Sequence, residues 1–400
     1  MHKRILFLAL VFCQSGFAQI AIQADSVFPV TAPLIRNGVV LIKNGKIEAV
    51  GTANQVTIPA GYTVMKARAV TPGLIDARTV IGMAGVLNIP VDQDQLERSS
   101  PIQPELRALD AYNPEEKLVQ VARGYGITTL HTGHGIGALV SGQTMVVKTK
   151  PGTTESVTLI PASMLAMSFG PNISWYFSSP GTRAKQVAMM RTELIKARDY
   201  LKKMQDKDST KRPTFDIKLD ALSRLLKGEL KALITANTAV DIMNAIRLSK
   251  EFGLKLVLDG AAESYRLIPE IKASGAEVVL HATMARHEGD MLNMSRSTAA
   301  TLTAAGIPVS IESGFESYVP KTRIVLMEAA QAIPYGLSHA DALRSITIHP
   351  AKLLGIDKRV GSIEAGKDAD LVLFNGDPFE YTTNVIRVLI DGQVVSEEVN

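Results

Sequence analysis

Four hundred residues, 46% of them hydrophobic and 20% charged, describe an ordinary globular chain, long enough for one large α/β domain with a smaller companion. That composition excludes disorder, and a formal net charge of +4 is too weak and too evenly spread to indicate nucleic acid or an anionic membrane. Cys13 is the only cysteine, so nothing beyond it can form a disulfide framework or a thiolate metal site.

The first 18 residues read as a signal peptide. Lys3 and Arg4 form a positive start, Ile5 to Phe12 an apolar run too short to span a bilayer, and Gly16-Phe17-Ala18 a small-x-small cleavage site. Bulky Phe12 beside Cys13 argues against a lipoprotein anchor. The expectation is a protein cleaved near Ala18 and exported to the periplasm or beyond, with no later membrane span. The mature chain would carry 41 basic against 39 acidic residues, a net +2.

Ile20 to Asp25 and Val39 to Val50 are strand-like, and Asn44-Gly45 inside the second run is a hairpin signal, because both turn positions need positive φ. Ala369 to Phe374 and Val388 to Val395 repeat this character around Asp391-Gly392. Two β-rich ends flanking an α/β middle predict a small sandwich built from both termini. Between them, short apolar runs alternate with helical patterns, the signature of βα units and a parallel sheet. Strands are predicted at Ala69 to Ile75, Ile127 to Leu130, Leu233 to Ala236, Lys255 to Leu258, Glu277 to Leu280 and Pro308 to Ile311. Ala239, Ile242, Met243 and Ile246 fall on one helical face, with Thr238 and Asp241 as a capping box and Gly253 as the stop. Thr132 to Gly142 and Ser168 to Arg183 read as irregular insertions, and the lysine-rich run Asp199 to Arg212 as a solvated helix end.

Thr71-Pro72-Gly73-Leu74-Ile75-Asp76-Ala77-Arg78-Thr79-Val80 resembles the Pro-Gly-x-Ile-Asp-x-His-x-His signature of the amidohydrolase superfamily, in its imidazolonepropionase-like branch. Thr347 to Gly355 and Gly361 to Leu371 resemble C-terminal segments of the same branch. The resemblance covers nearly all of the mature chain. It implies an α/β fold, a (β/α)8 TIM barrel over residues 71–356 with a composite β-sandwich from residues 19–70 and 357–400. It also implies hydrolysis of non-peptide C–N bonds in amides or cyclic amides, by a hydroxide on a metal held by four His and one Asp.

On the matching positions of this chain those ligands are absent. Arg78 and Val80 stand where the first two His would be, Thr235 and Gly260 at the next two, and Gly314 at the Asp, with Glu312 the nearest carboxylate. The usual metal site is therefore expected to be lost and no cofactor is expected. A guanidinium at position 78 is then expected to supply charge to Asp259, Glu263 or Glu312. His131, His134, Gln143 and Arg183 complete the candidate substrate-binding residues. Two functions follow: a catalytically silent binding or partner subunit, in a homo-oligomer or beside an active relative, or a hydrolase that uses no metal or one relocated zinc near His131, His134 and His281, with Glu288 as a further donor.

Overall fold

The computed structural model describes residues 19–87, 89–314 and 324–397. The predicted leader therefore lies outside the described residues. In chain order the strands are β1 Ile20–Val27, β2 Ile35–Lys43, β3 Lys46–Thr52, β4 Thr63–Pro72, β5 Leu74–Thr79, β6 Ile127–Thr132, β7 Val140–Gln143, β8 Met145–Lys148, β9 Thr158–Ile160, β10 Met164–Ser168, β11 Lys231–Ala236, β12 Leu256–Gly260, β13 Glu277–Leu280, β14 Val309–Ile311, β15 Leu371–Phe374, β16 Val385–Ile390 and β17 Gln393–Glu397.

Both ends of the chain enter one seven-stranded sheet, ordered β17-β16-β15-β4-β1-β2-β3. Its tight turns are those the sequence signals: Asn44 and Gly45 have φ of 53° and 75°, and Asp391 and Gly392 of 51° and 72°. Ile22, Val40, Ile42, Val70, Leu371 and Leu389 pack on one face, Ala21, Val39 and Leu41 on the other. Each large aliphatic side chain buried this way contributes roughly 1.5–3 kcal/mol.

The run predicted as one strand over Ala69 to Ile75 is two. β4 belongs to the terminal sheet and β5 to the central one, and the chain crosses between them at Gly73, whose N–H donates to Asp370 O at 2.7 Å. Glycine is required there by space. A Cβ would lie 2.1 Å from Thr128 Oγ1.

The central strands form two sheets, β5-β6-β8-β9 and β14-β13-β12-β11-β10-β7. β5 and β6 run parallel, as do β10 through β14. The sheets meet at residues 140–148, where β7 and β8 flank the single residue Thr144, β8 pairing with β6 and β7 with β10, both antiparallel. They meet again where the Ser313 N–H, just past β14, donates to Asp76 Oδ1 on β5 at 3.1 Å. The sequence reading expected parallel strands throughout. One antiparallel segment departs from that, because an apolar run carries no information about strand direction.

The helix predicted from Ala239 spans Ala239–Phe252, with the Thr238 hydroxyl accepting from the Asp241 N–H and Gly253 in the left-handed region at φ 68°. No helix among the described residues is long and apolar enough to cross a membrane.

Candidate functional site

Parallel strands deliver their C-terminal ends to one face, and there a cavity of about 470 Å³ opens. Its wall takes Arg78, Thr79 and Val80 from the end of β5, Thr235 and Asn237 from β11, Asp259 and Gly260 from β12, His281 after β13, and Glu312, Ser313 and Gly314 after β14. Arg78, Val80, Thr235, Gly260 and Gly314, the five positions matched by resemblance to metal ligands, are thus together on one wall. Loops add Asn172, Trp175, Glu288, Asp290 and Met291. Of these only Glu288 is a sequence candidate; the other four lie in short 3-10 helices, Pro171–Trp175 and Gly289–Met291, too brief to leave a periodic pattern.

Arg78 is only 5% exposed. It was expected to face Asp259, Glu263 or Glu312, but its guanidinium donates to two backbone carbonyls, Thr79 O at 3.2 Å and His134 O. Its charge acts through space. Burial raises Asp76 to about 7 and Glu312 well above the usual carboxylate range, with repulsion from Asp259 adding to the rise in Glu312; Arg78 opposes both shifts. The Thr235 hydroxyl donates to Asp259 Oδ2. Asp76, fully buried, accepts from the N–H groups of Arg78 and Ser313 and so clasps β5 to the end of β14.

Several other sequence candidates lie off this wall. Gln143 donates to Pro104 O at 3.0 Å and accepts from Arg224. Arg183 clamps the buried carboxylate of Asp241 at 2.7 and 3.1 Å. Glu263 accepts from Ala239 N–H and Asn293. Each is engaged in holding loops or helix starts. These residue types at the mouth-side ends of strands looked like binders, because sequence does not reveal which side chains already have protein partners.

The three histidines proposed for a relocated metal also sit apart in role. His131 has both ring nitrogens occupied, by Ala77 O and Thr144 Oγ1, each at 2.7 Å. His134 packs against Gly142, where a Cβ would meet its ring at 2.3 Å. Of the three, His281 alone lines the cavity. Burial pushes His131 down to about 3 and His134 and His281 down to about 4. These imidazoles are neutral at pH 7.

Zinc requires three or four N, O or S donors at about 2.0–2.3 Å. Among the described residues no three His, Cys, Asp or Glu side chains are gathered to hold an ion. With a guanidinium at position 78 and no side-chain donor at Val80, Gly260 and Gly314, the residues present do not fit the metal that the resemblance implies.

A depressed histidine pKa has a pH signature. His281, ordinarily near 6.5 and held at about 4 in the fold, adds stability that is complete above the unfolded value and is lost as pH falls toward 4. Denaturant unfolding of the wild type and His281→Asn at several pH values should show the wild type losing stability relative to the variant between about 6.5 and 4. A pH-independent difference would contradict a buried neutral imidazole.

Comparison with known proteins agrees with this architecture. Residues 318–395 match the model of the amidohydrolase family. The chain is 25% identical over 389 residues to the amidohydrolase tasK of Hapsidospora irregularis, covering 89% of this chain but only 39% of that protein. It is 24% identical over 377 residues to the imidazolonepropionase of Bacillus velezensis, covering 83% and 82% of the two chains. The crystal structure of an amidohydrolase from Thermotoga maritima superposes with a TM-score of 0.89 at 29% identity, covering 95% of this chain and all of that one. The chain belongs to the amidohydrolase superfamily. Within it, the imidazolonepropionase relatives place it in the imidazolonepropionase-like branch. The likeness of the solved structures implies a TIM barrel with a β-sandwich.

Proposed function

We propose that this chain is a superfamily member that has given up metal-dependent hydrolysis and uses its cavity to bind a small molecule. Arg78 is the observation that carries the reading. A permanently charged group, 5% exposed and fixed on two carbonyls, stands at the first ligand position of the signature. Asp76 and Glu312, which burial biases toward their protonated forms, add little negative charge to attract a cationic metal.

The same reading takes the two central sheets as the (β/α)8 barrel with one antiparallel strand, and the terminal sheet as the composite sandwich. Residues 1–18 are then the leader of an exported protein, and the mature chain a binding or partner subunit, in a homo-oligomer or beside an active relative.

A panel of amides and cyclic amides, assayed with the purified protein after loading with Zn2+, Mn2+ or Fe2+, tests the reading. No metal-dependent turnover is expected. Turnover that a chelator removes would contradict it. One feature supports a second reading, a metal-free hydrolase: Glu312, pushed well above the usual carboxylate range by burial and by Asp259, would pair an acid with a carboxylate base for water activation. Chelator-resistant turnover abolished in Glu312→Gln would establish that reading instead.

A further inference from the structure

Several polar groups around the cavity are already committed. Arg78 donates to carbonyls, and Asn237 Nδ2 donates to Asp290 Oδ2 at 3.0 Å. What remains unmatched is one-sided. Besides Asp259 Oδ1 and Asn172 Oδ1, His281 Nε2 and Asn237 Oδ1 have no partner among the described residues, although the last two residues are only 3% and 4% exposed. Both atoms are acceptors. His281 Nδ1 lies 2.8 Å from Ala282 O, and because a carbonyl only accepts, Nδ1 carries the proton and Nε2 the lone pair. Asp290 fixes the Asn237 amide the same way, holding its NH2 and leaving Oδ1 turned elsewhere.

Both residues adjoin Gly260. A Cβ on that residue would lie 2.5 Å from Asn237 Oδ1, and the Gly260 carbonyl accepts from the backbone N–H of His281 at 3.0 Å. The preceding residue is Asp259, 2% exposed, and all four line the cavity. A buried acceptor without a donor costs about 1–3 kcal/mol, and two of them beside a carboxylate make a corner that is complete only when something donates to it.

The geometry points to the cationic end of a small organic molecule: an ammonium, amidinium or guanidinium group donating N–H bonds to Asn237 Oδ1 and His281 Nε2, with Asp259 as counter-charge. This rests on the binding reading above and names its ligand class. Trp175 and Met291, also on the cavity wall, cover the apolar part of such a ligand. A neutral polyol has donors too but does nothing for the charge of Asp259. Arg78 enters from β5, on the other central sheet from β11 and β12, and as a like charge it weakens the binding of a cation.

Calorimetric titration of the full mature chain with benzamidinium chloride, and with benzoate as the same ring of opposite charge, tests the assignment. Benzamidinium should bind saturably at one per chain and benzoate should not. Asp259→Asn and Asn237→Leu should each weaken binding about tenfold or more, while Arg78→Met should tighten it. If Asp259→Asn does not fold, Asn237→Leu carries the test. Preference for benzoate, weaker binding in Arg78→Met, or binding indifferent to Asn237→Leu would overturn the assignment, as would one Zn2+ per chain lost in His281→Asn. The two readings fail separately. Metal-dependent turnover by a protein that still binds benzamidinium refutes only the binding-only function, whereas no cation binding by a protein without turnover refutes only the ligand class.

Discussion

Lys148→Met should destabilise the protein by about 3–5 kcal/mol in denaturant unfolding at pH 7, the range expected when one partner of a buried ion cluster is removed. The Lys148 side chain is 2% exposed, and its ammonium lies 2.8 Å from Asp368, 3.0 Å from Asp370 and 2.6 Å from Asp391. Burial alone would lower this lysine, but the three carboxylates hold it above its ordinary value. It is the buried part of the ionic contact between the end of β8 and the loops beside the terminal sheet. Without it, the cations left among the described residues are at the rim, Lys46 and Arg359 on Asp368 and Lys150 on Asp391, and none pairs with Asp370.

The penalty has a pH window. Asp368 is held down at about 2 in the fold despite its burial, by Lys148 first and then Lys46 and Arg359. Its stabilisation is therefore present above the unfolded value near 3.9 and lost as pH falls toward 2. The gap between wild type and Lys148→Met should narrow over that window. A loss under about 1 kcal/mol at pH 7 would mean that the network relaxes around methionine.

Gly73→Ala should cost about 1–3 kcal/mol or more by overpacking. The added Cβ would sit 2.1, 2.6 and 2.8 Å from Oγ1, Cγ2 and Cβ of Thr128. Both residues are buried, and a β-branched side chain has few rotamers in which to retreat. Thr128→Ala in the same chain should recover part of the loss but not all of it, because the 2.8 Å contact with the Thr128 Cβ persists. Equal stability of Gly73→Ala and wild type in thermal unfolding would show that β5 and β6 can separate there.

These two residues mark where sequence reading succeeds and where it stops. Pro72-Gly73 is visible as a turn between apolar runs, and the structure adds the reason for glycine, which is the wall formed by Thr128 on a strand more than fifty residues later. Lys148 ends the apolar run Met145-Val146-Val147. Its partners lie 220 or more residues away, and no local pattern reports a contact at that range. Local devices were legible because they are set by neighbouring residues: the Asn44-Gly45 turn, the Thr238 cap and the Gly253 stop.

The site divides in the same way. Arg78, Thr235, Asp259, Gly260 and Glu312 could be named because they sit in or beside motif positions at strand ends. Nothing in the sequence singles out Asn237, two residues beyond Thr235, and His281 reads there only as a metal ligand. What distinguishes both is a single unmatched acceptor atom, which depends on where every neighbouring donor goes. The engagement of Gln143 by Pro104 and Arg224, and of Arg183 by Asp241, was hidden for the same reason.

On the proposed function, a guanidinium has replaced a metal in this cavity. Metal content of the mature protein, measured by elemental analysis after incubation with excess Zn2+ and exhaustive dialysis, tests it most directly. The account predicts far less than one metal ion per chain. One tightly held ion per chain, displaced when His281 or Asp259 is substituted, would contradict it.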